Sequence, residues 1–228
     1  MSVPLRRSDP PQFPPSPRKN LGPGIQLIDR DHPRRGEVEA FVEQRFRAVY
    51  GARLKGHYEH IALLTADTGT VAAAAGVRFA EDEPLFLERY LDVPIETAVA
   101  SVFDCPVARE SIVEIGAFAA DGAASALDLF GSVARWLAAA RGRRFAVATA
   151  RPELRRLLDR AGYGLRSLGL ADPARLANEA SDWGSYYEAR PEVFAGQIGA
   201  SAVLPLLQER LRSKAMARQV RRLRGVTP

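Results

Sequence analysis

The feature that most constrains the fold is an alternation of strand-like and helix-like patterns between residues 110 and 171. ESIVEIGAFAADG (110–122) has the continuous apolar run of a buried strand, and in AASALDLFGSVARWLAAARG (123–142) apolar residues recur at helical spacing. RRFAVATA (143–150), RPELRRLLDRAGYG (151–164) and LRSLGLA (165–171) then repeat strand, helix and strand, with LRSLGLA expected to be the last strand. This order predicts an α/β layer structure with helices packed on a central sheet.

The preceding segments add a helix and further strands to this unit. HIALLTADTGTVAAAAGVRFAE (60–81) predicts two adjacent strands joined by a turn at 67–69. The other expected elements are a first strand in 24–32, an amphipathic helix in 33–52, a helix or loop and helix interrupted at Pro94 in 84–103, a loop-rich stretch in 173–200, and a basic amphipathic helix in 201–223.

The composition of the two ends predicts three regions. Residues 1–24 contain seven prolines and predict an extended, disordered leader, residues 25–204 form the globular domain, and residues 205–228 form a basic helix or tail. The formal net charge is +5, but acidic side chains outnumber basic ones in the globular region, which argues against a nucleic-acid-binding face. The tail is expected either to be a solvated terminal helix or to contact an acidic surface, such as an anionic membrane or an acidic carrier protein.

Several function classes have no support in the sequence. A single cysteine, Cys105, excludes an intramolecular disulfide and a multi-cysteine zinc site, and the three histidines do not suggest a metal centre. The motifs GxxxxGK[ST], GxGxxG, HExxH and GxSxG are absent. Apolar runs are far shorter than the roughly 20 residues of a membrane span, and the N-terminus has no apolar signal region. We therefore expect a soluble cytoplasmic protein without a metal.

Three features are candidates for a functional site, and each has a structural alternative. The turn of small residues between the 110–122 strand and the next helix exposes helix N–H groups to an anion such as a pyrophosphate, although such turns are also small for packing reasons. Glu114 lies in an apolar strand, where burial would raise its pKa toward that of a general base, unless it faces solvent or pairs with Arg78. Trp183, Tyr186 and Tyr187 either line a pocket or anchor a loop.

Three segments resemble the thermostable hemolysin family: LFLERYLDVPIE (85–96), IVEIGAFA (112–119) and WGSYYEARPEVFAGQI (183–198). The resemblance extends from about Ile25 to Leu204. It implies a fold like that of the GNAT acyltransferases and the acyl-homoserine-lactone synthases, with a mixed, mostly antiparallel sheet flanked by helices on both faces. It also implies transfer of an acyl group from acyl-CoA or an acyl carrier protein to a small amine, without a specific nucleic-acid partner.

The resemblance also implies roles for individual residues. It marks Glu114 and Arg78 as catalytic residues. In a mechanism built on them, Tyr186 or Tyr187 would protonate the leaving thiolate. Substrate would contact Phe86, Glu88 and Trp183. The acyl donor would lie along Glu114's strand and the turn after it, on Ile115, Ala117, Phe118, Ala119, Gly122, Ala123, Ala124 and Ser125.

Two departures from the related families affect this expectation. The turn reads AADGAAS, without the basic residue and the glycine pair of the GNAT phosphate loop, which keeps an acyl carrier protein open as the donor. Ala117 stands where the lactone synthases carry an arginine. The competing hypothesis is a non-catalytic, membrane-active protein whose basic tail docks on anionic lipid.

Overall fold

A computed structural model describes residues 19–22 and 25–198, without the side chains of 19–22 and 140–141. Eight strands form one sheet: β1 (Lys19–Gly22), β2 (Ile25–Ile28), β3 (His60–Thr65), β4 (Val71–Phe79), β5 (Ile112–Ala120), β6 (Phe145–Ala150), β7 (Arg166–Leu170) and β8 (Glu192–Gln197). The α-helices are α1 (Arg35–Tyr50), α2 (Ile95–Phe103), α3 (Ala123–Arg141) and α4 (Pro152–Arg160), and 3-10 segments occupy Phe86–Tyr90, Arg109–Ser111 and Pro173–Ala189.

The described sheet is mixed and mostly antiparallel, as predicted. The spatial order of its strands is β1-β2-β3-β4-β5-β6-β8-β7. Its one parallel pair is β5 with β6, and all its other neighbours are antiparallel. The α3 helix makes the connection that a parallel pair requires.

Helices cover both faces of this sheet, which confirms the predicted layers. On one face, Val38, Val42 and Phe46 of α1 pack on residues from the β2–β5 half of the sheet. On the other face, Leu129 and Val133 of α3 pack on inward side chains of β4 and β5. Alternate residues of each strand therefore point to different helices, as period-two side-chain geometry requires.

Most of the predicted elements are present, including the β3–β4 hairpin and the α1 helix, which ends at Gly51 with a left-handed φ of 68°. Two predictions about strands are wrong. β1 lies inside the segment assigned to a disordered leader, because Lys19 and Asn20 pair with β2. β7 is not the last strand, because the stretch expected to be loop-rich contains β8, which pairs with both β6 and β7. The predicted 201–223 helix lies outside the described residues.

Two local features of β5 shape the site. Its ladder with β6 covers Ile112–Glu114 and stops there, at the pair Glu114 and Val147. Three residues further along, Ala117 has a φ of 45°, and the register between β4 and β5 shifts at this point. This β-bulge changes the alternation of side chains, so that Ala117 and Ala119 face α1 while Phe118 and Ala120 face α3.

Candidate active site

A cavity of about 560 Å³ opens where β5 is no longer paired with β6, and residues of α1, α3 and α4 line it. One side is formed by β5 from Glu114 to Ala120, and the other by the end of β6 from Ala148 to Ala150. Aromatic rings from α1, from the loop after α1 and from two 3-10 segments close it above the sheet: Phe46, Tyr50, Tyr58, Phe86, Tyr90, Trp183, Tyr186 and Tyr187. A concave site with aromatic walls and a few polar groups is typical of small-molecule binding.

Glu114 lies at the closed end of this cavity and is only 2% exposed. Its Oε2 accepts a hydrogen bond of 2.8 Å from the Phe86 backbone N–H. Its Oε1 accepts bonds from the Leu87 N–H at 3.3 Å and from the Tyr58 hydroxyl at 3.2 Å. All three donors are neutral, so the carboxylate is held in place without a cation in hydrogen-bond contact.

Burial therefore dominates the protonation of Glu114. Removal from water raises the pKa of its carboxyl to about 7, against the smaller opposing effects of the Phe86 N–H and of Arg78. Arg78 is directly opposite Glu114 in the β4–β5 register, but its Nη1 is 3.9 Å from Oε2 and its Nε pairs with Glu83 at 3.0 Å. Of the two structural alternatives for Glu114, exposure is excluded and pairing with Arg78 is weak.

Tyr58 is a cavity residue that the sequence analysis did not identify. It lies in the loop between α1 and β3, contacts Glu114 through its hydroxyl and carries the Arg78 guanidinium 4.8 Å from its ring centroid. The available signal was indirect: Gly76 and Gly116, about 40 residues apart, are cross-strand partners, and the ring lies against both. Only the strand register brings these glycines together.

The three aromatic residues named from sequence meet at the cavity and differ in their bonding. Trp183 packs on Phe86, with ring centroids 5.7 Å apart. The Tyr186 hydroxyl donates to the Thr149 carbonyl at 3.2 Å, so its proton is engaged with the backbone. The Tyr187 hydroxyl is 2.5 Å from that of Tyr90, and burial raises the pKa of both phenols.

Most of the residues assigned to the acyl donor line the same cavity: Ile115, Ala117, Phe118, Ala119, Gly122 and Ala123. Ala124 and Ser125 do not line it, since α3 begins at Ala123 and carries them into the helix. The first turn of α3 has no acidic residue and no side-chain cap, so its N–H groups are open to an anion.

Two arginines that the sequence analysis did not select also line the cavity. Arg45 projects from α1, and Arg151 lies at the junction of β6 and α4. The Arg151 guanidinium stacks 5.2 Å from the Tyr50 ring centroid, and its buried Nε has no hydrogen-bond acceptor among the described residues. Its nearest carboxylate is the exposed Glu153, at 3.6 Å from Nε. The cavity therefore contains basic side chains, although the turn at residues 119–125 supplies none.

Glu88 is the one proposed substrate residue that the structure places outside the cavity. Both of its carboxylate oxygens accept bonds from Arg109, at 2.7 and 2.8 Å. They also accept bonds from the Leu85 and Ile95 N–H groups. Its side chain thus ties the Phe86–Tyr90 segment to its surroundings instead of facing a ligand.

Residues 25–198 contain neither a metal-binding cluster nor a membrane-spanning helix. No group of three or more His, Cys, Asp or Glu side chains in this range has the arrangement of a metal site. Within the same part of the chain, no helix has the length and the apolar character needed to cross a membrane.

The sequence of residues 28–202 matches the family model described as thermostable hemolysin, which is more than half of the chain. The chain belongs to the thermostable hemolysin family. Its predicted membership is thereby confirmed over nearly all of the described domain. No curated protein matches the chain.

Several solved structures share the fold of this hemolysin-family chain. The AHL synthase LasI matches with a TM-score of 0.55 and 13% identity over 79% of this chain and 92% of its own. FeeM, an N-acyl amino acid synthase from uncultured soil microbes, matches with a TM-score of 0.50 and 13% identity over 75% and 94%. BjaI, a CoA-dependent acyl-homoserine lactone synthase with SAM and isopentyl-CoA, gives 0.50 and 18% over 81% and 87%. These neighbours share the fold of the chain, so the fold expected from the likeness to the acyl-homoserine-lactone synthases is confirmed.

Proposed function

We propose that this protein is an N-acyltransferase that moves an acyl group from a thioester to a small amine. The observation that carries the proposal is Glu114, a buried carboxyl with a pKa raised to about 7 at the closed end of a strand-lined cavity. The names of the structural neighbours, two acyl-homoserine lactone synthases and an N-acyl amino acid synthase, support the same reaction class.

The chemistry needs a base with this property. An alkyl amine is protonated at neutral pH and attacks a carbonyl only as the neutral form. The amine nitrogen bonds to the thioester carbon, the carbon–sulfur bond breaks, and the amine loses one proton while the sulfur leaves as a thiolate. A carboxylate whose pKa is close to the working pH accepts that proton without being trapped in either form.

The donor arm fits along the free edge of β5. Beyond Glu114 that edge has no ladder partner in β6, so the N–H and C=O groups of the following residues can pair with the amides of a pantetheine arm. The bulge at Ala117 turns the backbone at this point. We assign the N–H groups around the bulge to the carbonyl oxygen, where negative charge develops in the transition state.

The phosphates of the donor would be bound at the mouth of the cavity. The open N-terminus of α3 supplies N–H groups, and Arg45 and Arg151 supply the charge that the AADGAAS turn lacks. This arrangement suits the phosphates of coenzyme A as well as the phosphopantetheine of a carrier protein. Tyr187 is better placed than Tyr186 to protonate the leaving thiolate, since the Tyr186 proton is held by Thr149.

Product formation tests the function directly. The purified protein is incubated with acyl-CoAs or an acylated carrier protein together with amino acids and simple amines, and products are identified by mass spectrometry. We expect an N-acylated amine and stoichiometric release of thiol. No product from any donor, together with leakage of anionic liposomes, would favour the membrane-active alternative, whose basic tail lies outside the described residues.

The assignment of the arginines is tested with acyl-CoA and with S-acyl pantetheine, which lacks the phosphates and the adenosine of coenzyme A. We expect Arg151→Ala to weaken binding of acyl-CoA by about tenfold, as loss of a charged hydrogen bond does, and to leave S-acyl pantetheine unaffected. Arg156→Ala is the matched control, because Arg156 is an exposed arginine of the adjoining helix α4 that does not line the cavity. Equal losses for both donors would contradict a phosphate contact.

A further inference from the structure

Tyr58 occupies a slot that exists because two strands carry glycine at facing positions. Gly76 of β4 and Gly116 of β5 are cross-strand partners. A Cβ atom on Gly76 would be 2.3 Å from Tyr58 Cγ, and one on Gly116 would be 1.9 Å from the Tyr58 hydroxyl oxygen. No side chain fits at either position while the ring is there, so the sheet surface and the tyrosine are shaped for each other.

The other contacts of Tyr58 fix its hydroxyl against Glu114. The Arg78 guanidinium stacks on the ring. The hydroxyl donates to Glu114 Oε1 at 3.2 Å and lies over Gly116, on the free-edge side of the ladder's end. Both Tyr58 and Glu114 line the cavity, but Glu114 is only 2% exposed whereas Tyr58 is partly accessible.

Glu114 has two kinds of hydrogen-bond donor. The Phe86 and Leu87 N–H groups cannot carry a proton to it and be regenerated from the cavity. A phenol hydroxyl can, because it donates its one proton to the carboxylate while its oxygen lone pairs accept another.

We infer that Tyr58 is a catalytic residue of the proposed acyl transfer, relaying the amine proton to Glu114. As the amine nitrogen bonds to the thioester carbon, its N–H proton passes to the Tyr58 oxygen, and the phenol proton passes to Glu114 Oε1. Tyr58 is neutral before and after the step, Glu114 gains one proton, and the thiolate leaves with the electron pair of the broken carbon–sulfur bond. This inference rests on the proposed function.

The electrostatics require the two transfers to occur together. Burial and the adjacent Glu114 carboxylate raise the pKa of Tyr58 well above its usual value, and the stacked Arg78 only partly opposes them. A free phenolate is therefore too unstable to accumulate, whereas a phenol that gains one proton as it loses another never carries the charge.

The test combines removal of the hydroxyl with a change in its acidity. In Tyr58→Phe we expect kcat to fall by at least about 10²-fold at every pH, with little change in donor affinity, because the ring still fills the slot. Tyr163→Phe, which removes another largely buried phenol that contacts neither Glu114 nor Tyr58, is the matched control. Incorporation of 3,5-difluorotyrosine at position 58 keeps the packing and the hydrogen bond and should change kcat, because it changes phenol acidity.

Each outcome of the test is decisive. A Tyr58→Phe enzyme that regains wild-type kcat above pH 8, or a difluorotyrosine enzyme with unchanged kcat, would show that Tyr58 only positions Glu114 and would overturn the relay. If Tyr58→Phe does not fold, the difluorotyrosine variant decides alone. Absence of acyl transfer by the wild-type protein would overturn the proposed function and the relay with it, whereas an active wild type with an active Tyr58→Phe overturns the relay only.

Discussion

Two glutamates near the Phe86–Tyr90 segment have opposite electrostatic environments. Glu88 accepts two hydrogen bonds from the Arg109 guanidinium and two from backbone N–H groups, and these lower the pKa of its carboxyl to about 2, with Arg109 as the largest cause. Glu114 accepts bonds from neutral donors alone, and burial raises the pKa of its carboxyl to about 7.

The difference separates a structural carboxylate from a reactive one. A fully compensated carboxylate such as Glu88 remains ionised throughout the physiological range and ties the 3-10 segment to the start of α2. That segment in turn offers the Phe86 and Leu87 N–H groups to Glu114. The Glu88–Arg109 ion pair thus holds the segment that binds Glu114. Glu114 itself has no cation in hydrogen-bond contact and can exchange protons in the site.

Replacement of Glu114 should have the largest effect on activity. Glu114→Gln keeps the size and the polarity of the side chain but cannot accept the amine proton, so we expect kcat to fall by at least about 10²-fold with the fold intact. Glu110→Gln is the matched control, since Glu110 is exposed and lies just before the same strand. Steady-state rates with a saturating acyl donor measure the effect, and wild-type turnover by Glu114→Gln would remove Glu114 from the mechanism.

The pH dependence of kcat should show the same group. Only ionised Glu114 accepts the proton, so kcat should fall about tenfold per pH unit below a midpoint near 7 and level off above it. Arg78 and Tyr58 face Glu114 and set this midpoint together with burial. Repeating the profile with acceptor amines of different basicity separates the enzyme group from the substrate: a midpoint that follows the amine would argue against Glu114.

Replacement of Glu88 should reduce stability. Glu88→Gln leaves Glu96 as the only carboxylate bonded to Arg109, and we expect a loss of about 1–3 kcal/mol in the free energy of unfolding at neutral pH. Urea unfolding monitored by circular dichroism measures the loss. At the same pH, Glu114→Gln should be at least as stable as the wild type and therefore more stable than Glu88→Gln. The reverse order of the two variants would contradict the distinction between the two glutamates.

The change of these stabilities with pH has opposite signs at the two sites. The contribution of Glu88 is complete above its usual pKa of 4.5 and is lost as the pH falls toward 2, so the deficit of Glu88→Gln should shrink in acid. Glu114 is harder to ionise in the folded state, so its burial destabilises the fold increasingly as the pH rises from 4.5 to 7.

Unfolding curves at a series of pH values test this sign. Over the 4.5–7 range, Glu114→Gln should gain stability relative to the wild type by up to about 1.4 kcal/mol per pH unit. A difference that does not change with pH would mean that Glu114 titrates equally in the folded and unfolded states.

Local patterns predicted the elements that build the site, whereas residues brought together by register were missed. The patterns of β5, of the turn after it and of α3 each lie within consecutive residues. Glu114 and the cavity-lining residues between Ala119 and Ala123 could therefore be identified from the sequence. β8 was missed because its pairing with β6 and β7 is not local. Tyr58 was missed because its slot is made by glycines on two different strands.

Glu88 was assigned to the substrate site for a similar reason, because its charged partner is distant in sequence. Its partner Arg109 is 21 residues away in sequence, and nothing near Glu88 in sequence distinguishes a bound carboxylate from one that faces a ligand. Arg45 and Arg151 likewise reach the cavity from α1 and from the start of α4, away from the turn where a phosphate-binding residue was sought.

The protonation of Glu114 itself is the most direct measure of this account. NMR titration of protein labelled with ¹³C at the glutamate side-chain carboxyl, with Glu114→Gln to assign the signal, reports it without requiring turnover. We expect a carboxyl that titrates near pH 7 and shifts when an acyl donor binds. A Glu114 signal that titrates near 4.5, like an exposed glutamate, would contradict the claim that burial without compensation makes this residue the base.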